Sequence, residues 1–128
     1  MYIILYQHSK HRQFTLAMSF IEVFMITALV QFKLPTPVTP DQARAIFLGT
    51  APKYQDTRGL IRKYYILSQD GCTAGGVYLW RSREAAEQTY SDNWKAFVIE
   101  KYEAQPSVTF FDTPLVVDNV THQIIADE

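Results

Sequence analysis

The sequence predicts an α+β domain of ferredoxin-like type, a split β-α-β unit with a four-stranded antiparallel sheet plus a short extra strand. Three observations predict it. Runs rich in β-branched and aromatic residues alternate with two stretches of helical spacing, in the order β-α-β-β-α-β. That order places both helices on one face of the sheet. The other face is then left bare and apolar. A second copy across a two-fold axis would cover it.

Ile26 to Lys33 (ITALVQFK) reads as the first strand, bounded by Pro35 and Pro37. Thr39-Pro40-Asp41-Gln42 then starts a helix. Thr39 can cap it, Pro40 suits its first position, and Gln42 can reach back to the cap. Ala43, Ile46, Phe47, Thr50, Ala51 and Tyr54 give this helix one buried face, and Pro52 is expected to kink or end it. Gly59 opens a second strand, Leu60 to Ser68. Asp70-Gly71 turns the chain into a third, Ala74 to Arg81. Ser82 caps the second helix, and Ser91-Asp92-Asn93 mark a break or second cap within it. Trp94, Phe97, Val98 and Tyr102 continue its buried stripe to Pro106. Val108 to Asp112 is the fourth strand and Leu115 to Val120 the short extra one. The tail from Thr121 is polar enough to fray. Alternation is expected to put Val30, Phe32, Val77 and Leu79 on one side of the sheet.

The length of 128 residues fits one domain, assigned to residues 25–128, with 1–24 as an N-terminal extension. Phe14 to Val30 is nearly apolar but short, carries Glu22, and merges into the first strand. No stable membrane insertion is therefore expected. The basic Lys10-His11-Arg12 follows an apolar stretch instead of preceding one, unlike a signal peptide. Met18 or Met25 would be the natural start, with a peripheral anchor or accessory helix as the alternatives. Twelve Lys+Arg against thirteen Asp+Glu leave no basic patch for nucleic acid. Cys72 is the only cysteine, which excludes an intrachain disulfide and suits a cytoplasmic setting. His8 and His11 have ligand-like spacing but no acidic or cysteine partner nearby, so no metal site is assigned.

Ala74-Gly75-Gly76-Val77-Tyr78-Leu79-Trp80, followed by Ser82-Arg83-Glu84-Ala85-Ala86, resembles the YdhR-type monooxygenases. These belong to the dimeric α+β barrel superfamily, alongside the antibiotic-biosynthesis monooxygenases. The resemblance covers about Ile26 to Asn119. It implies a homodimer, a pocket between sheet and helices, and oxygen chemistry that needs no metal, flavin or nicotinamide cofactor. It also implies that Trp80 lines the pocket. Related haem-degrading proteins carry an Asn where Gln31 stands and a haem-ligating His near Tyr90. Gln31 and Tyr90 are departures from them.

The candidate catalytic residues are Gln31, which could hold a substrate oxygen or peroxide, and Tyr90, which could donate a hydrogen bond. Tyr90 is no base near neutrality, since an unperturbed tyrosine has a pKa of about 10. The candidate substrate-binding residues are Trp80, Tyr78, Gly76, Tyr64 and Trp94. Gly75-Gly76 inside a strand marks a bulge or a close approach. Tyr64 and Tyr65 point to opposite faces, one toward the pocket and one toward the dimer interface, in an order the sequence leaves open. Arg62 shares a face with Tyr64, and Lys63 with Tyr65. Either cation could stabilise an enolate, and an exposed salt bridge is the ordinary role of both. The function expected is a cofactor-independent monooxygenase acting on a small aromatic or polycyclic phenol. The alternatives are a non-catalytic homodimer binding a hydrophobic small molecule, and a haem-binding or haem-degrading protein. No residue in the sequence stands out as a base.

Overall fold

The computed structural model describes residues 3–5 and 24–126. Its strands are β1 (Ile3–Leu5), β2 (Ile26–Lys33), β3 (Leu60–Leu67), β4 (Thr73–Trp80), β5 (Ser107–Asp112), β6 (Leu115–Asp118) and β7 (Gln123–Ala126). Its helices are α1 (Pro40–Leu48), α2 (Ala51–Gln55), α3 (Arg83–Thr89) and α4 (Asp92–Tyr102). The main sheet is antiparallel with order β3-β4-β2-β5, and a smaller sheet has order β1-β7-β6. This is the α+β, split β-α-β architecture that the sequence predicts. Apart from 3–5 and 24, the residues assigned to an N-terminal extension, His8 and His11 among them, lie outside the described residues.

The helices start where their caps dictate. Thr39 Oγ1 accepts from the Gln42 amide while Gln42 Oε1 accepts from the Thr39 amide, a reciprocal capping box. Ser82 and Ser91 cap α3 and α4 by accepting from the amides of Ala85 and Trp94. Pro52 does not end a helix as expected. The chain breaks earlier, at Gly49–Thr50, and Pro52 sits in the first turn of α2, where a missing N–H costs nothing. Ile46, expected on the buried face, is 39% exposed.

The cross-strand register corrects the expected faces. Val30 lies opposite Gly76, Ala28 opposite Tyr78 and Ile26 opposite Trp80. These residues, with Phe32, form the helix-covered core, and Trp80 has no exposed surface. Val77 and Leu79 therefore do not share a face with Val30 and Phe32. They lie on the opposite face with Leu29 and Thr27. Alternation assigns faces within one strand, whereas the phase between strands is set by their pairing.

That opposite face is not wholly bare. β6 and β7 form a hairpin over it, and Val77, Leu79 and Tyr64 line a crevice together with Val116, Val117 and Ile125. The expectation of a fraying tail is thus overturned. Gln123 to Ala126 pairs with β6, and Ile125 is buried. The turn between them is held by Asp118, whose carboxylate accepts from the amides of Val120 and Thr121 and from Arg62 Nη2. Burial pushes the Asp118 carboxyl up, but the two amides and the guanidinium outweigh it and hold its pKa below the ordinary value.

Gly75 is required where the backbones converge. A Cβ there would lie 1.8 Å from the Val30 carbonyl oxygen. Gly75→Ala is expected to destabilise the fold by about 3 kcal/mol, the upper end of the cost of overpacking. A urea-unfolding midpoint unchanged from the wild type would contradict this.

Candidate functional site

Tyr65 lies opposite Gly76, and Lys63 opposite Tyr78. The β3 register therefore turns Tyr65 and Lys63 toward the helices, and Tyr64 and Arg62 toward the other face. Above them the α1–α2 segment supplies Phe47, Thr50 and Tyr54, and α4 supplies Trp94, Phe97, Val98 and Tyr102. Together these side chains enclose a narrow cavity of about 20 Å³, roomy enough for about one water molecule.

The cavity wall is a network of aromatic rings joined by hydrogen bonds. Tyr65 stacks on Phe47, and its hydroxyl bonds to Thr50 Oγ1 at 2.7 Å. Trp94 Nε1 donates to the Tyr54 hydroxyl at 3.0 Å. Tyr78 meets Tyr54 edge-on. Behind this wall Trp80 Nε1 donates to the Tyr90 hydroxyl at 2.9 Å, with the two rings nearly perpendicular. Such pairing satisfies the polar tips of large aromatics that are otherwise buried.

Lys63 is the unusual component. Its Nζ lies 3.4 Å from the ring centre of Tyr54, 3.7 Å from that of Tyr65 and 4.5 Å from that of Tyr78. Gly76 makes room for this arrangement, since a Cβ there would sit 2.8 Å from Tyr78 Cε1 and 3.2 Å from Lys63 Cε. No carboxylate among the described residues pairs with Lys63. Burial, and then the Lys53 ammonium, pull its pKa down to about 6. The ring faces act in the opposite direction, because they favour the charged form. The amine is thereby placed to exchange a proton near neutrality. Burial also pushes the phenols of Tyr78 and Tyr90 well up, and that of Tyr102 to about 12. These tyrosines remain protonated and serve as ring walls, the Tyr90 hydroxyl accepting from Trp80.

Of the residues singled out from sequence, Tyr78 and Trp94 line the cavity. Trp80 and Tyr90 lie in the core cluster beside it and are bonded to each other. Gly76 acts through the space it leaves, while Gly75 borders the cavity. Tyr64 is 54% exposed on the opposite face, with its hydroxyl near Arg62 Nη1 at 3.3 Å. The face left open in the sequence thus goes to Tyr65. Gln31 is exposed, pairs with Gly75 and Ser107, and faces away from the cavity. Arg62 makes a salt bridge, to the buried Asp118, but Lys63 makes none among the described residues. Sequence reasoning noted that Lys63 shares a face with Tyr65. What it lacked was the sign of that face.

The backbone arrangement has known counterparts. SnoaB from Streptomyces nogalater, described as a cofactor-independent oxygenase, superposes with a TM-score of 0.55 at 12% identity, covering 75% of this chain and 99% of that one. A Caulobacter crescentus protein provisionally described as an antibiotic biosynthesis monooxygenase gives 0.54 at 18% identity, over 71% and 91%. The monooxygenase from the ActVA-Orf6 gene of Streptomyces coelicolor, in complex with nanaomycin D, gives 0.52 at 19% identity, over 70% and 88%. The chain shares their ferredoxin-like α+β fold. No protein-family profile matches the sequence, and no curated protein is significantly similar to it.

Within that fold, the Tyr90 hydroxyl accepts the hydrogen bond from the Trp80 indole N–H. Tyr90→Phe leaves the indole N–H unsatisfied and is expected to cost about 1–3 kcal/mol of stability. Chemical denaturation of the two proteins side by side measures it, and equal stabilities would show that the bond contributes nothing.

Proposed function

We propose that this chain is a monooxygenase of the YdhR-type branch that oxidises a small aromatic or polycyclic phenol with O2 and needs no metal or organic cofactor. The observation that carries the proposal is Lys63, a half-buried amine set among aromatic faces with no counter-ion among the described residues. It supplies the base that the sequence alone did not reveal. The shared fold with proteins described as monooxygenases supports the same reading.

The chemistry needs only a proton acceptor and a dry site. A phenol whose keto tautomer carries a CH2 between two aryl rings loses a proton to the Lys63 amine. The resulting carbanion passes an electron to O2, and the radical pair combines to a peroxide. Loss of water turns CH2 into C=O. The substrate supplies all four electrons, one oxygen enters the product, and the other leaves as water. Lys63 returns its proton to the departing oxygen. The aromatic walls stack the substrate and exclude water.

A ring-sized substrate needs more room than the closed cavity offers. Tyr65 borders the cavity and also two flanking grooves of about 330 and 290 Å³. Turning its ring aside, away from Phe47 and Thr50, would join these spaces at the sheet's β3 edge.

Oxygen uptake with anthrones and hydroquinones tests the proposal. Activity is expected to rise as pH increases through about 6, because Lys63 accepts a proton only above its pKa, where it is neutral. Lys63→Met should lower kcat/KM by about 10²-fold or more, the usual worth of a positioned base. Gln31→Ala should change nothing. Binding of these compounds with no oxygen consumed would instead favour a non-catalytic binding protein.

A homodimer belongs to the same proposal. Tyr64, Phe111, Leu115 and Val117 are each more than half exposed on or beside the face that the hairpin only partly covers. A second copy would bury them. Sedimentation should give a dimer at micromolar concentration, and Val117→Lys should shift it to monomer. A wild-type monomer would remove this part of the reading.

A further inference from the structure

The charge around the cavity does not balance. Lys53 Nζ stands 5.1 Å from the ring centre of Phe97 and 6.0 Å from that of Tyr54. Lys63 Nζ lies 3.4 Å from the centre of that same Tyr54 ring. Two amines therefore share one aromatic ring, one exposed at the mouth and the other inside. Lys101 flanks them, 5.9 Å from the ring centre of Tyr102, another lining residue.

Among the described residues, no acidic side chain lines the cavity. None among the described residues forms an ion pair with Lys53, Lys63 or Lys101. Three cations elsewhere have carboxylate partners, while Lys33, Arg58 and Lys95 have none among the described residues. Arg44 pairs with Asp41, Arg62 with Asp118 and Arg83 with Glu87. Lys53 and Lys101 stand beside rings that line the hollow, without a counter-ion among the described residues. Phe97 is 38% exposed there, leaving an apolar surface beside the Lys53 ammonium. An aromatic plane with an acidic substituent fits both features, the ring against Phe97 and Tyr54 and the acid at Lys53.

We infer that the compound taken by this cavity is an aromatic carboxylate, whose carboxyl group pairs with Lys53 at the mouth while its ring system enters between Tyr54, Phe97 and Tyr102. The inference rests on the cavity being the substrate site proposed above. It concerns binding only, so it can be tested without turnover. The carboxylate supplies the missing counter-ion and sets which end of the ring system points inward. Lys53 is thus a positioning residue for the substrate.

Fluorescence titration with 2-anthracenecarboxylate and its neutral match, anthracene-2-carboxamide, tests this on the full chain. The carboxylate is expected to bind about tenfold more tightly at low ionic strength, with the margin shrinking as salt is added. Lys53→Gln, at an exposed position, should remove most of that margin and leave carboxamide affinity unchanged, with an unchanged urea-unfolding midpoint as the check on folding. Equal affinities, a tighter carboxamide, a margin that survives Lys53→Gln, or failure of both probes to bind would each overturn the inference. Oxygen uptake without a carboxylate preference would leave the monooxygenase reading standing and remove this one. The preference without oxygen uptake would do the reverse.

Discussion

β4 lies between β2 and β3 with Val30 and Tyr65 both opposite Gly76, and the arrangement of the site follows from that register. Gly75 lets the β2 and β4 backbones converge at a point where any side chain would strike the Val30 carbonyl. Gly76 leaves a hollow on the helix side, and the Lys63 stem and the Tyr78 ring fill it. Two adjacent glycines in the middle of a sheet weaken it locally. Here that cost is offset by aromatic packing from both neighbouring strands and from the helices above.

The same physical effect then acts on several ionisable groups in this layer. Removing a side chain from water penalises whichever of its forms is charged. Burial raises the pKa of the Tyr78, Tyr90 and Tyr102 phenols and lowers that of the Lys63 ammonium. All are driven toward neutrality, but the outcomes differ in kind. A neutral phenol is a proton donor, and a neutral amine is an acceptor. One aromatic layer thus holds hydrogen-bond donors and a single basic nitrogen side by side without any carboxylate. The ring faces around Lys63 moderate the effect, keeping the protonated form accessible.

The two faces of the sheet divide the labour. The helix-covered face carries the aromatic core and the cavity. The other carries Gln31, Tyr64 and Arg62, along with apolar residues partly sheltered by the β6–β7 hairpin. The hairpin is held by an ion pair to the sheet, through Arg62 and Asp118, as well as by the burial of Ile125. Its existence was not legible in a tail that reads as polar. Asp118 makes the turn by accepting two amide hydrogens, and a carboxylate's role as a local acceptor is visible only once the backbone has closed around it.

The sequence by itself determined the order of the elements, the capped starts of the helices at Thr39, Ser82 and Ser91, and the alternation within each strand. These are local properties, decided by residue type and by periods of two or 3.6 residues. It also showed that Lys63 and Tyr65 travel together, as do Arg62 and Tyr64. Only the tertiary structure decided which pair goes inward, because the phase between strands depends on pairing partners far apart in the chain. A shift of one residue exchanges every inward side chain for an outward one. That single binary choice moved Gln31 away from the cavity and brought a lysine into it.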